Sequence, residues 1–331
     1  MKVKVLTEKE LRQAVRVDQE VVDTVEKAFT WLAEDKVEMP PIMHISVAEN
    51  NGDVDIKAAY VRGLDRFAVK MGAGFFENYR LGLPNSPAMM VVLSAKTGFA
   101  EAVLLDNAYL TDVRTGAAGA VVAKHLARRD IETAGVIGAG AQGRYQMMGL
   151  KTVRDFKRLL VYDTDAGRLD AYVREMGPVL NVAVTAAPDV ATVVKECDAV
   201  VTSTPSSKPY LRSEWPRPGL HITAMGADLP GKGELMPEVL AKADILVCDR
   251  KSQCFQMGEL HNGLQAGVIT EDSAITELGE ITAGRKPARQ NDQQITVCDL
   301  TGTGVQDTAI ADLALKKAAE LGLGVDIDIL A

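Results

Sequence analysis

The stretch TAGVIGAGAQG, Thr133–Gly143, decides the fold. A short apolar segment, AGVI, runs into Gly138, further glycines follow at Gly140 and Gly143, and helix-forming residues come next. The following strand-like run, RLLVYD, ends in Asp163, 20 residues after Gly143. Strand, glycine loop, helix and strand-end acid in that order are the conditions under which a GxGxxG pattern reads as a dinucleotide cradle rather than a bare glycine bend. Gly138 would allow the tight turn, Gly140 the approach of a pyrophosphate to the backbone, and Gly143 close helix packing. The free N–H groups and positive dipole end of the helix would face the phosphates. The predicted contact set is therefore Gly138, Ala139, Gly140, Ala141, Gln142, Gly143 and Asp163. Asp163 suits ribose hydroxyls and repels a 2′-phosphate, which favours NAD over NADP, although nearby Arg168 would suit NADP.

Downstream, short apolar strands alternate with helices, the pattern of a doubly wound parallel sheet. The run CDAVVTST opens into Ser203 and Thr204 at the carboxyl edge, where small hydroxyl residues can lie under the nicotinamide ribose; a plain Ser/Pro turn fits the same residues. Upstream, the alanine-rich segment from Thr111 predicts a helix joining two domains. Between about residues 41 and 110, pieces of strand length bounded by Gly, Asn, Asp or Pro predict an antiparallel or mixed sheet. Residues Glu8 to Lys36 predict two helices broken near RVDQE, and the final DTAIADLALKKAAELGLG predicts a helix that packs back on the first domain. The fold class is α/β: a Rossmann-type doubly wound parallel sheet plus an α+β domain.

Bulk properties narrow the partners. The chain has 331 residues, 47% hydrophobic and 25% charged, the balance of ordinary folded proteins. A net charge of −8 and no basic run longer than Arg128–Arg129 argue against nucleic acid. The charged N-terminal segment and the lack of 18 consecutive apolar residues predict a cytoplasmic protein with no membrane span. Cys197, Cys248, Cys254 and Cys298 show no CxxC spacing and His44, His125, His221 and His261 no HxxxH pair, so structural thiols and no metal site are expected.

Four blocks in order, DVRTGAAGAVVAKHLA, GVIGAGAQG, VTSTPS and AMGADLPGKGEL, resemble the ornithine cyclodeaminase/mu-crystallin family over nearly the whole chain. The closing VCDLTGTGVQDTAIA is similar to its ectoine-utilisation branch. The resemblance implies a substrate-binding and dimerisation domain at 1–114 and 313–331, a Rossmann NAD-binding domain at 115–312, and a homodimer joined through the first. It also implies that Lys70 in FAVKMG and Arg114 hold a substrate α-carboxylate, that Asp228 in GADLPGK is the catalytic carboxylate, with Lys70 beside it in the catalytic set, and that Thr115 belongs with the cofactor contacts. Chemistry agrees, since hydride transfer at an amino-acid α-carbon needs a clamped carboxylate and a group that moves the nitrogen's proton.

Two positions depart from the family pattern. Where ornithine-using members carry a glutamate, 13 positions before the clamp lysine, this chain has Lys57, which repels a distal ammonium and favours an anionic or uncharged side chain. The early arginine after the PP turn is missing, leaving His44 as the candidate contact there. A one-residue strand offset would turn Lys57 away. The activities left open are imine reduction or amine deamination with NAD, a cyclodeaminase with no net cofactor turnover, and a non-enzymatic binder of cofactor and a small amino or imino acid.

Overall fold

The computed structural model describes residues 1–330. It divides into two units: Met1–Arg16, Asp23–Arg114 and the chain from Thr303 onward form one, and Val17–Val22 with Thr115–Gly302 the other.

The chain opens with β1 (Lys2–Thr7), then α1 (Glu8–Ala14) and α2 (Gln19–Ala33), which belong to the first unit except for the start of α2, up to Val22. Thr7 and Glu10 form a capping box that starts α1, and Asp18 Oδ1 accepts the Val21 N–H at 3.0 Å, which caps the entry to α2 after the predicted break. The strands β2 (Val37–Glu38), β3 (Met43–Val47), β4 (Gly52–Val61), β5 (Arg66–Phe75), β6 (Ala88–Ser94) and β7 (Ala100–Leu105) follow. The sheet order is C-terminal strand Val325–Asp328, β1, β7, β6, β5, β4, β2, with β3 also on β4. From β3 to β7 it is antiparallel, and β1 joins β7 in parallel, so the sheet is mixed. The first strand is an addition to the sequence reading: KVKV alternates with period two, and its lysines mask the strand signal because they stand on a pleat that also buries Val3 and Leu6.

The long C-terminal helix, Gly304–Glu320, crosses β4 and β5. Thr308 ties the two strands, accepting the Ala68 N–H at 3.0 Å and donating to the Ala59 carbonyl at 2.7 Å. A Cβ on Gly304 would sit 2.6 Å from the Ala58 carbonyl oxygen, so only glycine lets the helix start this close. The chain thus returns to the first unit at Thr303; the expected boundary at 313 falls inside a helix that periodicity alone does not start, because its first turn is polar in sequence yet fully buried.

Helix α3 (Tyr109–Leu126) contains the boundary between units. The second unit carries β8 (Thr133–Ile137), α4 (Ala141–Val153), β9 (Arg158–Tyr162), α5 (Ala166–Leu180), β10 (Ala183–Ala186), α6 (Val190–Glu196), β11 (Ala199–Thr202), β12 (His221–Ala224), β13 (Ile245–Cys248), β14 (Ile275–Glu277) and β15 (Thr296–Asp299). Its sheet is parallel throughout, in the order β10-β9-β8-β11-β12-β15-β13-β14. The order reverses between β8 and β11, which is the switch point of a doubly wound fold. Every residue of β8, β11, β12 and β15 is buried, as strands covered on both faces require. All four cysteines are buried. No helix among the described residues is long and apolar enough to cross a membrane.

Candidate active site

In the second unit the glycine loop has the geometry its spacing suggests. Gly138 has φ +107°, and a Cβ there would lie 2.7 Å from the Ser203 carbonyl oxygen. A Cβ on Gly143 would lie 2.1 Å from the Gly138 carbonyl oxygen, so α4 is docked against the loop as closely as backbone allows. At Gly140, the N-cap of α4, a Cβ would meet nothing within 4 Å. Two glycines are thus demanded by packing, and the middle one faces open space where a phosphate can approach. Ala139 is buried behind the loop and Ala141 opens the helix, with Gln142 next to it.

Asp163 stands at the end of β9, accepting the Ala139 N–H at 2.7 Å and the Asp165 N–H at 2.8 Å, one on each oxygen. Each oxygen retains a lone pair for a hydroxyl. Arg168 pairs with Asp165 at 3.7 Å. A residue absent from the sequence reading braces the loop: Arg144 donates to the Ala139 and Gly140 carbonyls, pairs with Glu175 at 2.7 Å and stacks over Tyr172. A groove of about 690 Å³ opens from Tyr162, beside Asp163, and is walled by Val190, Tyr210 and Trp215.

Along the same carboxyl edge, the Ser203 N–H bonds the Ile137 carbonyl at 2.9 Å. The Thr204 hydroxyl donates to the buried Glu234, which leaves only lone pairs to face a ligand. Asp228 lies in the loop after β12, half-exposed and paired with Lys232 at 2.7 Å. Thr115, on α3, gives its carbonyl to the Gln146 amide at 2.7 Å.

The first unit holds a different kind of site. Lys70 and Arg114 are 4% exposed, and both reach Asp307, which is fully buried in the first turn of the C-terminal helix. The Arg114 Nε–Asp307 Oδ1 distance is 3.0 Å and that of Lys70 Nζ–Asp307 Oδ2 is 3.4 Å. Arg114 Nη1 also donates to the Gln306 Oε1 at 3.0 Å, which accepts the Thr303 N–H at 3.1 Å. Lys57 is the direct cross-strand partner of Lys70 in the β4–β5 register, so both point to one face and no strand offset turns Lys57 away. His44, on β3, is opposite Asp55 and bonded to it at 2.8 Å; it lies on the same face, two residues further along.

Electrostatics follow from this crowding. Burial, reinforced by the charges of Arg114 and Lys57, brings Lys70 down to about 8, although Asp307 pulls the other way. Burial opposes the Asp307 charge, but Arg114, Lys70 and Lys57 outweigh it and hold its carboxyl below the usual carboxylate range. At the end of β7, burial raises Asp106 to about 6 while the Leu110 N–H, at 2.9 Å, restrains the rise. Asp307, Gln306 and Asp106 were not among the sequence-derived candidates. The signal available was GVQDTAIADLA, in which a helix opens with polar residues on the face that its apolar period would bury.

The model of the ornithine cyclodeaminase/mu-crystallin family matches residues 1–321. An uncharacterised cyclodeaminase of Sinorhizobium fredii is 46% identical over 322 residues, covering 97% of both chains. Two solved structures are similar throughout. An archaeal alanine dehydrogenase dimer with bound NAD has a TM-score of 0.92 at 34% identity and full coverage of both chains. The Δ1-pyrroline-2-carboxylate reductase of Thermococcus litoralis, solved with NADH and L-proline, has a TM-score of 0.93 at 30% identity, covering 98% of this chain and 100% of that one.

Proposed function

The chain belongs to the ornithine cyclodeaminase/mu-crystallin family, and on that premise we propose that it is an NAD-dependent enzyme acting at the α-carbon of a small amino or imino acid. One observation carries the reading. Two buried cations, Lys70 and Arg114, share a single carboxylate, Asp307, and a third cation, Lys57, is in register beside them. Buried cations that converge on one point are a ready site for an anion. The anion that an α-amino or α-imino acid brings is its carboxylate, and the Arg114 fork with the Lys70 point charge suits it.

NAD, when bound, supplies or accepts the hydride. In the reductive direction the residues do the rest: Lys70 and Arg114 fix the carboxylate and thereby the α-carbon, and Asp228 delivers the proton taken up by nitrogen as the C=N π pair moves onto it. In the oxidative direction Asp228 accepts that proton. The loop Gly138–Gly143 holds the pyrophosphate, Asp163 the adenosine ribose, and the groove at Tyr162 the adenosine end, with NAD preferred to NADP. Lys57 favours substrates whose side chain is anionic or neutral over ornithine; the likeness of VCDLTGTGVQDTAIA to the ectoine-utilisation branch makes ectoine breakdown a narrower proposed setting.

The test is a panel of amino and imino acids, with imines of ectoine breakdown included, followed by nicotinamide absorbance. Net NADH consumption with an imino acid supports the proposal. Ammonia release with no net absorbance change assigns a cyclodeaminase instead, and binding without turnover a non-enzymatic role.

A homodimer is part of the proposal. Met43, Ile56, Met71 and Met89 are successive cross-strand partners, forming an apolar row over four strands in which Met43 is 58% and Met89 40% exposed. An exposed apolar sheet face of this kind fits a second copy of the chain. Met89→Glu should yield monomers in sedimentation velocity.

A further inference from the structure

Glu234 is fully buried, yet its carboxylate is the meeting point of three separate segments of the second unit. Oε1 accepts the Thr204 N–H at 2.6 Å, the Thr204 hydroxyl at 2.7 Å and the Tyr210 hydroxyl at 2.7 Å. Oε2 accepts the Thr202 hydroxyl at 2.6 Å and the Gly226 N–H at 2.8 Å. These donors belong to the end of β11, the segment before the Leu211–Leu235 bridge, and the loop that leads from β12 to Asp228.

The fit is tight. A Cβ on Gly226 would lie 2.6 Å from Glu234 Oε2 and 2.2 Å from the Thr204 carbonyl oxygen, so glycine is needed for the two loops to meet around the acid. The next acid along, Glu259, accepts the Glu234 N–H at 2.7 Å. Burial pushes Glu259 up to about 8, and the charge of Glu234 adds to the rise; burial raises Glu234 as well, while its bonds from Thr202, Thr204 and Tyr210 pull the other way. Two of the five donors are backbone N–H groups, one on each oxygen, and these can only donate, so both oxygens are required to accept, as a carboxylate's do.

We infer that Glu234 is a positioning residue for the nicotinamide end of the site: its carboxylate locks the loop after β11, which carries Ser203 and Thr204, to the loop after β12, which carries Asp228. The inference rests on the dinucleotide reading above. It separates two halves of cofactor binding that meet at Tyr210, which walls the adenosine groove and donates to Glu234. The glycine loop and Asp163 serve the adenosine diphosphate half, and the Glu234 lock serves the nicotinamide half.

Glu234→Gln keeps the size but turns an amide NH₂ on one of the two backbone N–H donors, Thr204 or Gly226. Calorimetric titration of the whole protein with NAD+ and with ADP, which lacks both the nicotinamide and its ribose, reads the two halves separately. NAD+ affinity should fall about tenfold, the loss of one charge-assisted contact, while ADP affinity stays within about twofold. Asp198→Asn serves as the control. That buried acid holds Arg128, Arg217 and the Glu132 and Thr133 N–H groups in the same unit, away from these loops, so it should lower the melting temperature and leave the ratio of the two affinities alone. If Glu234→Gln does not fold, Thr202→Val removes one donor and should change the ratio in the same direction by a smaller factor. Equal loss of both affinities, or an unchanged ratio in the folded variants, overturns the role of Glu234. Binding of neither ligand by the unaltered protein overturns the dinucleotide reading, and the inference falls with it.

Discussion

The glycine loop of the second unit and the cation cluster of the first are made of different materials. Around Gly138, Gly140 and Gly143 the groups proposed to hold a phosphate are backbone N–H, packing excludes a side chain at Gly138 and Gly143, and the proposed contact needs no titratable group. Around Lys70, Arg114 and Asp307 the working groups are buried charges on β5, α3 and the C-terminal helix. A backbone site is damaged by added atoms and is indifferent to pH. A charge site is damaged by removed atoms and follows pH closely.

The largest expected effect falls on the proposed proton carrier of the second unit. Asp228→Asn should lower kcat by about 10²–10⁴ where proton transfer limits the rate, with NAD affinity retained. Steady-state kinetics alongside direct titration of NAD check it. Arg114→Ala comes next. It should raise KM for the amino or imino acid by roughly tenfold to over a hundredfold, the worth of a charge-assisted contact, and leave NAD affinity nearly intact. Unchanged kinetics in a folded variant would make Arg114 purely structural.

The contrast between materials sharpens with two alanines. Gly143→Ala drives a Cβ into the Gly138 carbonyl and should lower the melting temperature. Gly140→Ala meets no protein atom within 4 Å and should leave the melting temperature unchanged while weakening NAD by about tenfold, the scale of one lost phosphate contact. If the two variants behave alike, the open space at Gly140 is not the phosphate's.

These cases show what was legible in the sequence. The loop could be read because its logic is local: strand, turn, helix and Asp163 lie within one stretch of chain. The doubly wound order followed from alternation, but the placement of β15 between β12 and β13 did not, because strand neighbours far apart in sequence leave no local trace. Lys70, Arg114 and Lys57 were found through motif likeness, and the register that sets Lys57 beside Lys70 came only from the paired strands. Asp307 was missed. It is 193 residues from Arg114, and an acid inside an amphipathic helix reads as a solvated face until the strands beneath it are known.

A subtler effect is pH. Lys70, held near 8, is charged below that value and neutral above it, so kcat/KM for the carboxylate substrate should fall as pH rises past about 8, and Lys70→Arg should move that limb to higher pH. Stability moves the other way through the same group. Between about 8 and 10.5 the unfolded chain binds the Lys70 proton more readily than the folded one, so the burial penalty is relieved as pH rises through that window. The smallest expected effect is on specificity. Lys57→Glu should shift the ratio of catalytic efficiencies toward ornithine and away from a dicarboxylic amino or imino acid, by a few fold if Lys57 meets only the substrate's tail. A ratio that does not move would place Lys57 outside substrate contact.

The central claim is hydride delivery to an α-carbon held by its carboxylate. Reduction of an active α-imino acid with NADH deuterated at C4, in separate preparations for each face of the ring, tests it by mass spectrometry of the product. One deuterium should appear at the α-carbon from one of the two preparations, with one NAD+ formed per amino acid. Product without deuterium from both preparations, or ammonia released while the NADH pool stays intact, would contradict the account.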